Sequence, residues 1–360
     1  MVQNNHKSRL YSLDYLRGLA ALFIMIYHYC SWTFGAYKDS TFLGRIGIYG
    51  VSIFYVLSGL TLYHVYFLKM KPSTSQIIDF FIKRLFRIFP LLWLVTILTC
   101  FVKESFPIKA LILNLSGAFS VLSWDGYIGT GVWSIGNELV FYLFFPVFIF
   151  LSKQNRKFFL LLGVSIFFVQ LYFCFFKIKP TISLADQLQW HNYTNPLNQI
   201  FLFLGGYLIG YFFHSLNPQK GLCVIIGLVS VILFAFIPTN TNTVFGINRL
   251  IFTALAFGIC FAFYKGTFLL PGVVDKALRL LGEFSYSMYL LHPLVWFVTN
   301  KLFKSDNTEL IWAKLCLSIF LTLIISYLVY VSFEKYFMKQ GRKLSNKLLY
   351  DNEQVMQPTL

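Results

Sequence analysis

Apolar runs of about twenty residues recur ten times along this chain, and a helix of that length crosses a bilayer. They lie near 12–33, 46–67, 86–102, 133–151, 158–176, 197–213, 221–237, 248–264, 280–299 and 310–333. A water-soluble domain could not hide so much apolar surface, because 57% of the residues are hydrophobic, only 12% are charged and Phe alone supplies 42 of 360. The expected fold is therefore all-α, a polytopic bundle of about ten membrane helices. Residues 1–335 read as one integral-membrane domain and 336–360 as a short, polar, frayed cytoplasmic tail.

The net charge of +16 would suggest nucleic acid in a soluble protein. Here the cations gather in alternate short loops, as the positive-inside rule describes, and no nucleic-acid partner is expected. The basic segments are the N-terminal tail (His6, Lys7, Arg9), Lys69 to Arg87, Lys153 to Lys157, Lys265 to Arg279, and the C-terminal tail with Lys335, Lys339, Arg342, Lys343 and Lys347. Both termini are thereby placed in the cytoplasm, which agrees in parity with an even number of spans. The first run contains Arg17 and lacks an A-x-A-like cleavage site, so it is expected to be retained. All six cysteines fall in apolar runs without a CxxC, which makes them buried small hydrophobes rather than a zinc or disulfide framework. No metal is expected, and no internal repeat is evident.

Ionisable residues inside such spans are costly and mark sites. The first span holds Asp14, Arg17 and His28. Arg17 and His28 are eleven residues apart, which on a helix leaves them within about 20° of one face and about 16 Å apart along the axis. A fixed cation near one surface and a proton acceptor deep inside suit a reaction whose charged cofactor stays outside while its reactive end reaches inward. At the start of the third span, Arg84 and Arg87 share a helical face. Two guanidiniums there can hold phosphate or simply anchor to lipid headgroups, and spacing leaves both open. In the fourth span Glu138 falls about 7 Å below the outer end, while His28 lies about 24 Å from the inner end of its own span. In a core about 30 Å thick the two reach similar depths, so Glu138 is expected either to orient His28 or to sit hydrated at the interface. In the ninth span Ser285, Tyr289 and His292 share one side of a helix, suited to lining a pore or cementing helix contacts. The small residues of the second span, Gly50 to Gly59, read mostly as close-packing positions.

Taken together, these segments resemble the acyltransferase family 3 membrane proteins, which O-acylate sugars and envelope molecules in bacteria. The first span carries Arg-Gly-Leu-Ala-Ala and then His28, ten residues separating Arg17 from His28. Gly50 to Gly59 (GVSIFYVLSG) is similar to GVxxFFVLSG, and Arg84-Leu85-Phe86-Arg87 before Pro90 to RxxR. Trp133-Ser134 with Glu138, Phe141 and Tyr142 resembles WSLxxExxFY, and the ninth span SYSxYLxH. The motifs occur in family order over essentially the whole chain. Leu139 stands where relatives often carry a second acid, and Asn137 where a small or aliphatic residue is commoner, so only Glu138 carries over.

The resemblance implies a bacterial inner-membrane O-acyltransferase that draws on cytoplasmic acyl-CoA, with acetyl-CoA as the expected donor. It assigns Arg84 and Arg87 to the CoA phosphates, Arg17 to the donor channel, and His28, as base or transient acyl carrier, to the chemistry with Glu138 beside it. Trp133, Ser134, Tyr142, Ser285, Tyr289 and His292 are expected to line the channel or substrate site. The acceptor would be a hydroxyl of a sugar or envelope polysaccharide, with membrane lipid around the protein and envelope-biosynthesis proteins as candidate partners. Some relatives append an extracytoplasmic hydrolase-like domain; none is present in this sequence, so the chain is expected to act alone or with a separate partner. A proton-coupled transporter or flippase using His28 and Glu138 as a relay is the competing reading.

Overall fold

A computed structural model describes residues 10–355 except 72, 240, 267, 269, 305 and 306, with side chains described to residue 349. His6, Lys7 and Arg9 of the basic N-terminal tail, and residues 356–360, lie outside the described residues. Helix accounts for 81% of the chain, and no strand occurs among the described residues. The order is α1 (Tyr11–Phe34), α2 (Phe42–Tyr66), α3 (Thr74–Val102), α4 (Ile108–Ser116), α5 (Phe119–Leu122), α6 (Val132–Gln154), α7 (Arg156–Tyr172) and α8 (Gln187–Thr194). It continues with α9 (Pro196–Phe213), α10 (Lys220–Phe236), α11 (Gly246–Gly266), α12 (Gly272–Glu283), α13 (Ser285–Leu302), α14 (Thr308–Val329) and α15 (Lys335–Val355).

Each expected apolar run coincides with a helix, and the molecule is a polytopic membrane bundle. Seven stretches are long and apolar enough to span by themselves, containing α2, α3, α6, α7, α9, α11 and α14. Helix α10 has only 17 residues, and polar groups dilute α1 and α13. Arg45 explains how so short a helix ends inside the protein. Its buried guanidinium donates to the carbonyls of Phe234, Ala235 and Ile237 at 2.8, 2.9 and 2.6 Å, satisfying the last turn of α10.

Local chemistry sets the helix starts. The Thr41 hydroxyl accepts from the Gly44 N–H at 3.2 Å and opens α2. Asn195 accepts from Leu197 N–H at 2.9 Å, with Pro196 in the first helical position of α9. These two helices form the packed centre. A Cβ on Gly59 would stand 1.9 Å from the Phe203 carbonyl oxygen, and one on Gly206 would stand 1.9 Å from that of Val56. The backbones can meet only because both residues lack a side chain, so the packing role read for the second span holds. By contrast α7 and α14 are peripheral, with 22% and 28% of their apolar windows buried against 67% for α2.

Two expected boundaries differ. The ninth run begins at Ser285 rather than near 280, because the chain breaks at Phe284 and α12 is a separate amphipathic helix. Helix α12 is pinned to the start of α1. Tyr15 donates to Asp275, Arg279 pairs with Asp275 at 2.6 Å, and the Arg279 guanidinium lies over the Tyr11 ring. The Tyr15 hydrogen bond, helped by Arg279, holds the Asp275 carboxyl below the usual carboxylate range.

The C-terminal tail is the larger correction. Of the residues expected to fray, 336–355 belong to α15, joined to α14 through a π-helical turn at Tyr330–Glu334. A straight helix over the 42 residues Thr308–Leu349 would be about 63 Å long, twice a bilayer core. Its second half must therefore project beyond the membrane. The first half of α3, which carries Lys83, Arg84 and Arg87, projects with it, and α15 packs along α3. Ser345, 1% exposed, donates to Asp79, and Gly341 lies against the Phe86 side chain. Four of the six cysteines are buried as expected, whereas Cys30 is half-buried and Cys316 exposed.

Candidate active site

Arg17, Arg84, Arg87 and Glu138 come from three different helices and line one narrow cavity of about 80 Å³. Tyr142, Ser134, Ser285 and Tyr289 complete the part of its wall that the sequence singled out. Arg17 donates to Asp14 at 3.2 Å and to the Thr61 hydroxyl at 3.1 Å. Arg84 donates to the Tyr66 hydroxyl at 3.3 Å and rests among the rings of Tyr66, Phe80 and Tyr142. Its Nε is buried without a hydrogen-bond partner. The carboxylate of Glu138 accepts from Ser58 at 2.9 Å and from Tyr142. With Asp14 paired to Arg17, two carboxylates offset three guanidiniums, and the remaining positive charge favours an anion. The cavity shares wall residues with two clefts of about 800 and 430 Å³ at the basic end of the bundle, and Arg87 borders all three spaces.

His28 stands elsewhere. Its Nδ1 lies 2.9 Å from Nε2 of His292, with the rings 9° from parallel. Nδ1 of His292 is 3.1 Å from the Met288 carbonyl oxygen. A carbonyl has only lone pairs to offer, so His292 Nδ1 carries the hydrogen and a neutral His292 presents Nε2 as acceptor. His28 must then donate from Nδ1, which leaves the lone pair on its Nε2 free. Met288, His292 and His28 form a chain that sets the tautomer of His28. Tyr29 fixes the same turn, its hydroxyl donating to the His292 carbonyl at 2.9 Å, and Trp32 lies flat beside both imidazoles.

Orientation of His28 by Glu138 is therefore not what the fold provides. Ser134 and Tyr289 are hydrogen-bonded at 2.8 Å, which sets α6 and α13 in register. From that level Glu138 lies four residues toward the basic end and His292 three residues away from it, a separation of about 10 Å by helical rise. Depth counted from span ends could not see this, because it ignored where neighbouring helices start relative to one another.

The two histidines lie between two openings. On the basic side the cavity ends at Tyr289, whose ring centroid is 6.0 Å from that of His292. The Tyr289 hydroxyl is also 3.1 Å from the Gly131 carbonyl, which the left-handed φ of +81° at Gly131 turns toward it. On the other side His28 borders a groove of about 1010 Å³ with Tyr27, Tyr37, Asp39, Gln187, Trp190 and Tyr193. Trp133 borders neither space; its ring packs on Trp190 and Tyr193 and braces the groove wall. The sequence reading missed Ser58 and Thr61. Val51, Phe54, Tyr55, Ser58, Thr61 and Leu62 recur at helical spacing and line the cavity, the first four within the segment read mostly as packing.

The family model for an acyltransferase domain matches residues 10–331. This chain belongs to acyltransferase family 3. It is similar, at 27% identity over a 373-residue alignment, to a Staphylococcus aureus (strain COL) protein provisionally named an O-acetyltransferase, with 93% of this chain and 58% of that protein covered. It is also 25% identical over 380 residues to the peptidoglycan O-acetyltransferase OatA of Listeria monocytogenes serovar 1/2a, covering 95% and 58% of the two chains. The chain spans 58% of the length of these relatives. Membership does not favour the transporter or flippase reading, and α15 lies beyond the matched residues.

Proposed function

We propose that this protein moves an acetyl group from cytoplasmic acetyl-CoA to a hydroxyl of an envelope polysaccharide, with His28 as the base. The observation that carries this reading is the Met288–His292–His28 chain held between a cation-lined cavity and a polar, aromatic groove at the opposite end. The relatives' names support O-acetyl transfer, one of them to peptidoglycan. The basic end is then cytoplasmic by the positive-inside rule.

The CoA nucleotide would stay at Arg84 and Arg87, where charge-assisted bonds reward phosphate. Its thin arm would pass Arg17 and bring the thioester up to Tyr289. A sugar hydroxyl entering by the groove would give its proton to His28 Nε2 as its oxygen attacks the thioester carbon. The C–O bond forms, the C–S bond breaks, and the departing thiolate takes the proton back from the imidazolium. His292 holds His28 in the tautomer this requires, and the Tyr289 hydroxyl, turned from Gly131, would meet the oxyanion. In a two-step variant the same Nε2 lone pair would carry the acetyl group transiently. Glu138 balances the arginines of the donor cavity.

The deciding experiment follows radiolabel from acetyl-CoA, and free CoA release, with purified protein in liposomes and an envelope glycan extract. Glycan-dependent transfer by the wild type, absent in His28→Ala, is expected. Undiminished transfer by His28→Ala would remove the proposed chemistry. Failure of wild-type protein to bind acetyl-CoA would remove the donor assignment.

A further inference from the structure

The tail helix closes one wall of the basic mouth. Met338, Arg342, Asn346 and Leu349 recur at helical spacing on α15 and border the 800 Å³ cleft, facing Arg84 and Arg87 of α3 and Lys69 of the α2–α3 turn. Arg342 also borders the 430 Å³ cleft with Arg17, Lys69 and Arg87. The acid nearest to it in the larger cleft is already spoken for: Asp79 pairs with Lys83 at 2.5 Å and accepts from Ser345. Among the described residues Lys69, Arg87 and Arg342 have no carboxylate within ion-pair distance; the smaller cleft they share also carries Asp14, Glu283 and Glu334, but in the larger cleft the five cations Lys69, Lys83, Arg84, Arg87 and Arg342 face Asp79 as the one lining acid.

A positive-inside anchor would explain basic residues on α15 without a ligand, and Lys335, Lys339, Lys343 and Lys347, spaced by four, fit that description. None of those lysines borders either cleft, whereas Arg342 borders both. The helix is also held at the mouth and not merely near it. Glu334, 5% exposed, accepts from Ser287 of α13, Ser345 bonds Asp79 of α3, and Gly341 lets the backbone close on Phe86. Two spanning helices therefore position one guanidinium over the entrance to the donor cavity.

We propose that α15 is part of the donor site and that Arg342 binds a phosphate of the acyl-CoA nucleotide, opposite Arg84 and Arg87. The inference rests on the donor reading above and adds a binding element outside the family-matched residues. Its test compares steady-state kinetics of the full chain in detergent and in liposomes for Arg342→Ala, Arg342→Lys and Lys343→Ala. Arg342→Ala should raise the acetyl-CoA KM about tenfold with kcat within about twofold, the pattern of lost ground-state binding. It should weaken competition by 3′,5′-ADP in parallel. Arg342→Lys should recover part of the loss and Lys343→Ala none of it should show. Normal wild-type turnover with an unchanged KM in Arg342→Ala overturns the role of α15 alone. Equal effects of Arg342→Ala and Lys343→Ala, confined to liposomes, also overturn it and return the helix to lipid phosphate. A wild type that consumes no acyl-CoA overturns the donor reading and this inference with it.

Discussion

The two spaces that flank His28 are built differently. The basic-side cavity is walled by the interiors of α1, α2, α3, α6 and α13, is narrow, and takes its character from guanidiniums fixed on helices. The far groove is wide and walled largely by loop residues 36–40, 180–185, 239, 241 and 242 with the short helix α8, and its character comes from rings and small polar groups. A rigid, charged slot suits one invariant ligand, a nucleotide with a thin arm. A loop-made groove is where a fold varies its contacts at least cost.

Five substitutions would break or sharpen that contrast. His28→Ala bears on both sides at once, and loss of the proposed general base should lower kcat by about 10²–10⁴-fold whichever substrate is varied. Transfer assays on protein with unchanged insertion check it. His292→Ala leaves His28 without its tautomer lock and should lower kcat by about 10–100-fold, the usual scale for a partner that orients a functional imidazole. Unchanged donor KM in the same assay would separate it from a binding defect. Arg84→Ala or Arg87→Ala should raise the acetyl-CoA KM about tenfold and leave the acceptor KM alone, the signature of a lost charge-assisted contact. Tyr37→Ala, a half-buried residue on the groove, should do the reverse and more weakly, raising the acceptor KM about two- to fivefold, in line with loss of a single ring contact. Were Tyr37→Ala to change the donor KM, the two spaces would not be separate sites.

Much of the donor side was legible before any coordinates. Arg17, Arg84, Arg87, Glu138 and Tyr142 are ionisable or hydrogen-bonding groups in apolar runs, and the cost of stranding such groups in lipid forces them inward. Their convergence on one cavity was not legible for Glu138, because depth counted from span ends set it beside His28, whereas the relative height of α6 brings it to the arginines. The groove was not legible, because its walls are ordinary loop residues with no periodicity to betray them. The partner of His28 was misassigned for a different reason. Glu138 was the partner read from depth and His292 was read only as lining or helix cement, and about 10 Å of register between α6 and α13 separates the two. That register is set by the bond between Ser134 and Tyr289, two residues 155 positions apart in sequence. Arg342 was read only as a basic tail residue, since composition made 336–360 look frayed, whereas contacts of Ser345 and Gly341 with α3 hold it.

What the sequence determined by itself is therefore the membrane bundle, its basic end and the helices that carry charge, because hydropathy and the cost of buried ions act on each helix independently. What only the tertiary structure decided is which imidazole sits against which, how deep the carboxylate lies, and that the last helix packs along α3 to wall the mouth. Those depend on the relative height and rotation of packed helices, fixed by close contacts such as Gly59 against Phe203 and Gly206 against Val56, which no single run of residues encodes.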